Sequence, residues 1–328
     1  MEHGFAIWAN PSSPHAEGRK AKAALEDARD RVKRALGWDG ELIFTSGASE
    51  ALAIGLSRAK VERRIASAVE HDAVFRAAPD AELVPVANGE VDGEALAAAL
   101  AAPGRAVVAV QHVNSETGTI LSPFVEDVVA AKVREAGGLL LRDCAQSAGK
   151  VALPEADMLV ISAHKFGGPI GIGALLVRDY ALLEPSGGHE RGYRQGTENL
   201  PGTLGMAAVL ETGGIDNWMT SIEQQLAFKD ALMRAGGCII QPGFQSSYIL
   251  ALTHPTLSAQ ALLIRLDAMG FAVSAGSACS SGTLKKSRVL EAFGVDDETA
   301  ARTIRVSLGW STTAEDLERF AQAWTALG

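Results

Sequence analysis

The sequence of 328 residues contains only three cysteines, Cys144, Cys238 and Cys279. None belongs to a CxxC motif or to a Cys/His cluster with the spacing of a zinc site. This odd, sparse set argues against a disulfide framework, and we expect no metal site. It indicates free thiols in a reducing, cytoplasmic compartment, where each thiol either packs in a core or takes part in chemistry.

An excess of positive charge and long apolar runs are also missing. The formal net charge is −9, and the densest basic run, GRKAKAALEDARDRVKR, interleaves acids as a solvated helix face does. This charge argues against nucleic-acid binding, because such binding neutralises phosphates with clustered cations. The sequence shows no N-terminal apolar segment and no run approaching the length of a membrane span. We therefore expect a soluble, cytoplasmic protein without a membrane partner.

Short apolar runs alternate with helical segments over the first two thirds of the chain. Several runs are apolar on both faces, which is typical of strands in a sheet covered by helices. The alternation predicts an α/β domain with a largely parallel sheet, over residues 1–215. The predicted strands are ELIFTS (41–46), IASAV (65–69), AELVPV (81–86), AVVAVQHV (106–113), GLLLRDC (138–144), DMLVISA (157–163) and GALLVRD (173–179).

The pattern changes after about residue 215 and predicts a smaller α+β domain over residues 216–328. NWMTSIEQQLAFKDALMRAGG is interpreted as one long helix, and the last helix is predicted to begin with a capping box from Thr312 to Glu315. The chain has no internal repeat and no low-complexity linker, so we expect a tight interface between the two parts. The apolar stripe of the last helix comprises Leu317, Phe320, Trp324 and Leu327.

Two charged side chains follow predicted strands of the first domain. Lys165 lies between a strand and a glycine-rich turn, where a lysine is costly unless it is partnered or has reacted, for example as a Schiff base. Asp143 closes an apolar strand, at the edge where open α/β sheets bind ligands. Alternatively, Lys165 reaches the surface from a strand end, and Asp143 caps the following turn. The sequence alone leaves these alternatives open.

Two further segments place polar groups after strands. In FTSGASEALAIGL, the backbone N–H groups of Ala48 and Ser49 start a helix, which predicts an anion site there as well as an ordinary helix cap. His71 ends another strand in VEHDAV. An imidazole at such a place can stack on a flat ring and move protons, although a lone histidine is often structural.

Three features lie later in the chain. GGHERGYRQGTEN (187–199), with Thr197, is either a functional loop or a solvated surface loop. Arg305 interrupts an apolar strand, and its guanidinium either binds a ligand carboxylate or forms a structural ion pair. Cys279 lies in SAGSACSSG, where small residues favour exposed loop backbone over a packed core.

The order and spacing of these motifs resemble the cysteine desulfurases of the NifS/IscS type. That family is part of the class V aminotransferase-like branch of fold-type I pyridoxal-phosphate enzymes. The resemblance runs from about residue 10 to the C-terminus. Its motifs are NPSSPHAEGRKA, FTSGASEA, EHDAV, VNSETG, DCAQSAGK, SAHKFGGPIGIGALLVR, GGHERGYRQGTEN, GSACSSG and IRVSLG.

The resemblance implies the fold, the cofactor and a role for each matching residue. It implies a mostly parallel seven-stranded sheet in the large domain and pyridoxal 5′-phosphate as cofactor. L-Cysteine would lose its sulfur to Cys279, the nucleophile, and become L-alanine; a sulfur-acceptor or scaffold protein would then receive the persulfide sulfur, for iron–sulfur clusters or for tRNA or cofactor thiolation. At the cofactor ring, the resemblance implies Lys165 as the Schiff-base lysine, Asp143 at the pyridinium nitrogen, Gln146 near the ring oxygen and His71 as the stacking and catalytic histidine. It implies that Arg305 binds the substrate carboxylate. The implied phosphate contacts come from Ala48, Ser49, Ser162 and His164, and from Thr197 of the second subunit of a homodimer.

The sequence departs from the family pattern at two points. It starts MEHGFAIWANPSSPH where the family usually opens with a segment like YLDNAATTP, which forms part of the active-site wall. The resemblance also implies Asn114 and Ser115 as cofactor-binding residues, at the positions of the family's paired asparagines. The shorter Ser115 is expected to leave the ring-oxygen contact to water or Gln146. Two alternatives stay open: a selenocysteine lyase or class V aminotransferase, and a catalytically impaired sulfur-transfer partner subunit. Cys279 favours sulfur or selenium transfer over transamination.

Overall fold

A computed structural model describes residues 1–121, 127–275 and 286–328 of the chain. The helices in these ranges are α1 Glu2–Ala6, α2 Ala16–Leu36, α3 Ala48–Ser57, α4 Asp72–Ala77, α5 Gly93–Leu100, α6 Val128–Glu135, α7 Leu200–Glu211, α8 Ile222–Arg234, α9 Ala259–Ala268, α10 Arg288–Ala292, α11 Asp297–Ala300 and α12 Ala314–Thr325. The strands are β1 Glu41–Thr45, β2 Arg63–Ser67, β3 Glu82–Val84, β4 Val86–Ala87, β5 Glu90–Val91, β6 Ala106–Ala109, β7 Leu139–Asp143, β8 Met158–Ser162, β9 Gly173–Val177, β10 Cys238–Ile240, β11 Ile249–Thr253, β12 Ser274–Ala275 and β13 Thr303–Ser307. Short 3₁₀ helices span Ala163–Phe166, Tyr180–Leu182, Glu190–Gly192 and Ile215–Asn217.

A seven-stranded sheet has the order β1-β9-β8-β7-β6-β2-β3. Neighbouring strands from β8 to β3 pair in parallel, and β9 runs antiparallel to both of its neighbours. Every predicted strand of the first domain contributes to this sheet, with β3 and the separate short strand β4 dividing the run AELVPV. The predicted α/β architecture with a mostly parallel sheet is confirmed.

The sheet is covered by apolar side chains on both faces. Leu42, Phe44 and Leu140 pack into one core cluster with α2, α5 and α6, whereas Ile43 and Leu141 pack into a second cluster with α3. Because side chains alternate between the faces of a strand, neighbouring apolar residues supply both clusters. This explains why these strands are continuous apolar runs in the sequence.

A second, four-stranded antiparallel sheet has the order β10-β11-β13-β12. Its core lies against α8, α9 and α12, and Trp324 of α12 is 1% exposed. The whole predicted apolar stripe is buried in this core, although its last residue, Leu327, lies just beyond the end of α12. The α+β character of the C-terminal part is therefore present, whereas the boundary at residues 215 and 216 stays a prediction.

Two predicted helix starts in this part were wrong. The capping box of α12 joins Thr313 to Asp316 rather than Thr312 to Glu315, because the Thr313 hydroxyl accepts from the Asp316 N–H and the Asp316 carboxylate accepts from the Thr313 N–H. The long helix predicted from residue 217 begins only at Ile222, where Ser221 forms a capping box with Gln224.

No helix within the described ranges has both the length and the hydrophobicity needed to cross a bilayer. The described residues also contain no group of three or more histidine, cysteine, aspartate or glutamate side chains placed to hold a metal ion.

Candidate active site

A cavity of about 430 Å³ lies where parallel strands of the large sheet end. Its wall includes residues that follow the carboxyl ends of β2, β6, β7 and β8, the edge at which open α/β sheets bind ligands. Arg305 of β13 and Arg288 of α10 close the wall from the C-terminal part of the chain. The predicted site residues among those that line it are Ala48, Ser49, His71, Ser115, Asp143, Gln146, Ser162, His164, Lys165 and Arg305.

Lys165 lies in the 3₁₀ helix Ala163–Phe166, directly after β8. The 3₁₀ helix ends at Gly167, whose φ of 86° is in the left-handed region that favours glycine. The tight turn therefore holds Lys165 at the end of the strand, and its side chain is exposed in the cavity wall. Lys165 is neither a core residue nor a distant surface lysine.

Asp143 is the last residue of β7 and is 7% exposed. Its Oδ1 accepts a hydrogen bond of 2.9 Å from the backbone N–H of Ala145, so Asp143 caps the turn and lines the cavity at once. Burial raises the pKa of Asp143, and the Ala145 N–H, the positive charge of Lys165 and His71 in its protonated form oppose that rise.

The N-terminus of α3 forms part of the same wall. Gly47 is its N-cap, and Ala48 and Ser49 follow in the first turn, where backbone N–H groups lack helical partners. Next to it, Ser162 and His164 share a contact of 3.0 Å between Oγ and Nδ1. Two hydroxyls, an imidazole and the positive end of a helix dipole thus face one cavity, a donor set that suits an anion.

His71 caps α4, and its Nδ1 accepts from the backbone N–H of Ala73 at 3.1 Å. The ring lines the cavity although it is also a structural cap. Because Nδ1 accepts, the proton of the neutral ring is on Nε2, which leaves an N–H donor for other partners.

Gln146 is held through its backbone carbonyl by two donors. Lys150 Nζ donates to this oxygen at 3.0 Å, and the hydroxyl of Tyr248 donates to it at 2.9 Å. The Lys150 ammonium also lies 4.8 Å from the centre of the Tyr248 ring. Burial, with a smaller contribution from the charge of Lys165, lowers the pKa of Lys150 to about 7. Tyr248 immediately precedes β11, so this cluster ties the second sheet to the segment that carries Asp143 and Gln146.

Arg305 lies in the cavity wall and forms one hydrogen bond to the loop of Ser115 and one to Ser274 of the neighbouring strand β12. Its guanidinium donates to the carbonyl of Ser115 at 3.0 Å and to the hydroxyl of Ser274 at 3.1 Å. Its buried Nε has no hydrogen-bond partner among the described residues. Burial lowers the pKa of Arg305, and the carboxylate of Glu116 opposes this. A cation with spare donors in a cavity wall suits a ligand carboxylate.

Three predicted residues are not brought together with the others. Asn114 is fully buried and does not line the cavity, because its Oδ1 accepts from the backbone N–H groups of Glu116 and Thr117 and thereby shapes its own loop. Thr197 is exposed and lies outside the cavity wall. Cys279 falls in residues 276–285, outside the described ranges.

The cavity wall also contains charged residues that the sequence did not single out. Glu116 follows Ser115, and its carboxylate accepts from the Ser287 hydroxyl at 2.5 Å. Arg288 donates to the backbone carbonyls of Ala68 and Glu70. Glu70 itself is fully buried beside His71. In the sequence, the only sign of a role for Glu70 is its position just after an apolar strand, where a buried carboxyl group needs a hydrogen-bond or ionic partner.

A profile of the family described as Aminotransferase class-V matches residues 5–320. The chain belongs to the class-V aminotransferase family. Among the relatives of this family member is a protein from Cereibacter sphaeroides named "Cysteine desulfurase", with 35% identity over 95% of this chain and 87% of the relative. Another, "Cysteine desulfurase IscS" from Dictyoglomus turgidum, is 34% identical over 94% of this chain and 84% of its own length.

The solved structure titled "NIFS-LIKE PROTEIN" has a TM-score of 0.86, with 29% identity, 99% of this chain covered and 94% of the other. A NifS-like protein from Rickettsia africae superposes with a TM-score of 0.85 at 25% identity. The family predicted from the motifs and its fold type are therefore confirmed for this class-V chain.

Proposed function

We propose that this class-V family member is a cysteine desulfurase that uses pyridoxal 5′-phosphate to transfer the sulfur of L-cysteine to Cys279. The observation that carries the proposal is the meeting of Lys165, Asp143 and the N-terminus of α3 in one cavity. The kinship with proteins named cysteine desulfurase supports the same activity.

The side chains of the cavity fit the chemistry of pyridoxal phosphate. The donors at the α3 N-terminus, with Ser162 and His164, suit the phosphate, and the buried carboxylate of Asp143 suits the ring nitrogen. The amine of Lys165 suits the aldehyde. His71 presents a flat ring to the cavity, in keeping with the proposed stacking role.

When bound, pyridoxal phosphate supplies an electron sink for charge that develops at the α-carbon of the substrate. The Lys165 amine takes and returns the proton at that carbon. Arg305 holds the substrate carboxylate, which aligns the substrate in the cavity. The Cys279 thiolate attacks the substrate sulfur; an S–S bond forms, the C–S bond breaks, and its electron pair stays with the carbon side, which leaves as L-alanine after protonation.

We also propose a homodimer in which Thr197 reaches the partner's cavity. Thr197 is exposed and does not line the cavity of its own chain. Apolar side chains are exposed beside the turn after Lys165: Ile170 is 83% exposed and Trp310 is 56% exposed. A Cβ on Gly167 would lie 2.6 Å from Trp310 Nε1, so this tryptophan covers the turn. Exposed apolar side chains grouped near a site are typical of an interface, and sedimentation equilibrium of the purified chain tests it.

The function is tested by assaying sulfide and alanine released from L-cysteine. With excess dithiothreitol present to reduce the Cys279 persulfide and release its outer sulfur as sulfide, wild type is expected to release both in equal amounts, and Cys279→Ser is expected to bind the cofactor and release neither. Cys238→Ser is the matched control, because Cys238 is exposed on the short strand β10 and lies outside the cavity wall. Sulfide release that survives Cys279→Ser excludes Cys279 as the acceptor, and a wild type that releases neither product contradicts the proposed activity.

Arg305→Lys is expected to raise the KM for L-cysteine by roughly 10- to 100-fold, about 1.4–3 kcal/mol of substrate binding, with a smaller change in kcat. Lysine keeps the charge but loses the fork that can hold a carboxylate while bonding Ser115 and Ser274. Steady-state kinetics at varied L-cysteine measures the effect, with Arg319→Lys on the exposed face of α12 as the control. An unchanged KM means that another group binds the carboxylate.

A further inference from the structure

Glu70 is a buried carboxyl group that the proposed mechanism does not use. It follows β2, lines the cavity next to His71 and is 0% exposed. Its Oε1 accepts two hydrogen bonds, at 2.6 Å from the Ser67 hydroxyl and at 2.8 Å from the Gln111 N–H. Its Oε2 is buried and has no hydrogen-bond partner among the residues that the structure describes.

This bonding pattern fits a protonated acid better than a carboxylate. A carboxylate has two acceptor oxygens, and leaving one of them buried without a donor is costly. In the protonated acid, Oε1 is the carbonyl oxygen with its two donors, and Oε2 carries a proton that is available to an acceptor in the cavity. Until such an acceptor binds, a neutral hydroxyl costs less to bury without a partner than a charged oxygen does.

The charges around Glu70 favour the same state. Burial raises the pKa of Glu70 to about 8, against the hydrogen bonds from Ser67 and Gln111; the negative charge of Asp143 adds to the rise, and Arg142 opposes it. The guanidinium of Arg142 is paired with Asp127. Arg288 approaches Glu70 at its backbone carbonyl, 2.6 Å away, and also reaches Asp72.

Two buried carboxyl groups that are close enough to interact do not both ionise readily, because their negative charges repel each other. Asp143 has the N–H of Ala145 and the positive charge of Lys165 in its favour as a carboxylate. Glu70 has Asp143 as a negative neighbour. If the two groups together hold one proton, Glu70 is therefore the protonated group and Asp143 is the carboxylate.

We propose that Glu70 is a positioning residue of this site: its carboxyl group keeps its proton and donates it from Oε2 to an acceptor in the cavity, so that the negative charge of the pair stays on Asp143. This inference rests on the proposed function, in which the Asp143 carboxylate faces the ring nitrogen of pyridoxal phosphate. Glu70 acts through Asp143 and through the cavity, without touching the reacting atoms.

The first test is thermal unfolding of the cofactor-free protein as a function of pH. An unfolded glutamate ionises near pH 4.3, whereas folded Glu70 holds its proton up to about pH 8. Folding that depends on a protonated group loses stability as pH rises between these values. Glu70→Gln has no such proton to lose. The difference in Tm between Glu70→Gln and wild type is therefore expected to increase from about pH 5 to about pH 8 and to stay constant above, because those two pKa values set the limits of the change.

The control for this series is Glu135→Gln, at the exposed C-terminal end of α6. Its Tm is expected to run parallel to that of wild type over the same pH range. Parallel curves for Glu70→Gln and wild type would show that Glu70 ionises normally, and would overturn the proposal. This series contains no cofactor, so its outcome is separate from the success or failure of the proposed function.

The second test is titration of the cofactor-free protein with pyridoxal phosphate at pH 7, followed by visible absorption. Glutamine keeps a carbonyl oxygen for Ser67 and Gln111 and an N–H donor in place of O–H. Glu70→Gln is expected to bind within about threefold of wild type, and Glu70→Leu at least about tenfold more weakly, the difference corresponding to one lost hydrogen bond. Equal weakening in both variants would mean that the site needs the charged form, which contradicts the proposal.

Discussion

Lys165→Ala is expected to lower the release of alanine and sulfide from L-cysteine by about 10³-fold or more, and to leave the purified protein colourless. The amine has two proposed tasks: it would hold the cofactor through its aldehyde, and it would move the proton at the substrate α-carbon. A positioned acid–base group alone contributes roughly 10²–10⁴-fold, and the covalent task adds to this. The measurements are product release and visible absorption after incubation with pyridoxal phosphate.

The control for Lys165→Ala is Lys22→Ala, on the exposed face of α2. This variant is expected to keep both colour and activity. A Lys165→Ala protein that still turns yellow would point to a different lysine, and among the described residues Lys150 is a lysine in electrostatic contact with Lys165. Because Lys150 is 8% exposed, is committed to the Gln146 carbonyl and does not line the cavity, we expect it not to substitute.

The large sheet was predictable because its strands are apolar on both faces. Leu139 and Leu140 are neighbours in sequence and enter opposite core clusters, so the run reads as one continuous apolar segment. The direction of β9 was not predictable from such runs, because Gly173–Val177 is as apolar as the parallel strands and the antiparallel pairing comes from the chain path between β8 and β9.

The first residue of a helix was predictable only where the capping motif and the buried apolar stripe indicate the same starting position. Thr312 and Thr313 are neighbours, and both have an acid three residues later. The hydrogen bonds select Thr313, whereas the Thr312 hydroxyl accepts from the N–H of Gly309 instead. A local motif cannot decide between two such threonines, because the preceding turn sets which one faces the helix N-terminus.

The candidate site was predictable where a polar residue follows a strand. Lys165 follows β8, His71 follows β2 and Asp143 is the last residue of β7, and the topology brings those strand ends together. Glu70 was missed because its role depends on tertiary contacts to Gln111 and Asp143, which are far away in sequence. The cofactor contact of Asn114 stays a prediction, but its amide oxygen accepts hydrogen bonds from its own loop, a contact that the sequence does not show.

The loop that carries Thr197 depends on a buried ion pair. Glu190 and Arg29 are each 4% exposed, and two hydrogen bonds of 2.8 and 3.1 Å join the carboxylate to the guanidinium. Glu190 also accepts from the backbone N–H of Phe44 in β1 at 2.8 Å. Its φ of 46° lies in the left-handed region, which is unusual for a residue with a side chain. The ion pair holds the loop in this conformation against α2 and the edge strand.

Glu190→Ala is therefore expected to lower the free energy of unfolding by about 3 kcal/mol, because it leaves the buried Arg29 charge with only the partly exposed Glu26, 3.3 Å away, as an ionic partner. It also removes the acceptor of the Phe44 N–H. Urea unfolding followed by circular dichroism measures the change. The matched control is Glu17→Ala, which breaks an ion pair with Lys20 whose side chains are 62% and 70% exposed, and which is expected to cost about 1 kcal/mol or less.

A double-mutant cycle separates the ion pair from the other contacts of Glu190. In Arg29→Met with Glu190→Gln, no buried charge is left alone, and the loss is expected to be smaller than the sum of the two single losses by more than about 1 kcal/mol. Additive losses would mean that the backbone contacts of Glu190, rather than its charge, fix the loop. Because Thr197 follows Glu190 by only seven residues, the single variant Glu190→Ala is also expected to weaken any contact that Thr197 makes to a second subunit, whereas Glu17→Ala leaves that contact intact.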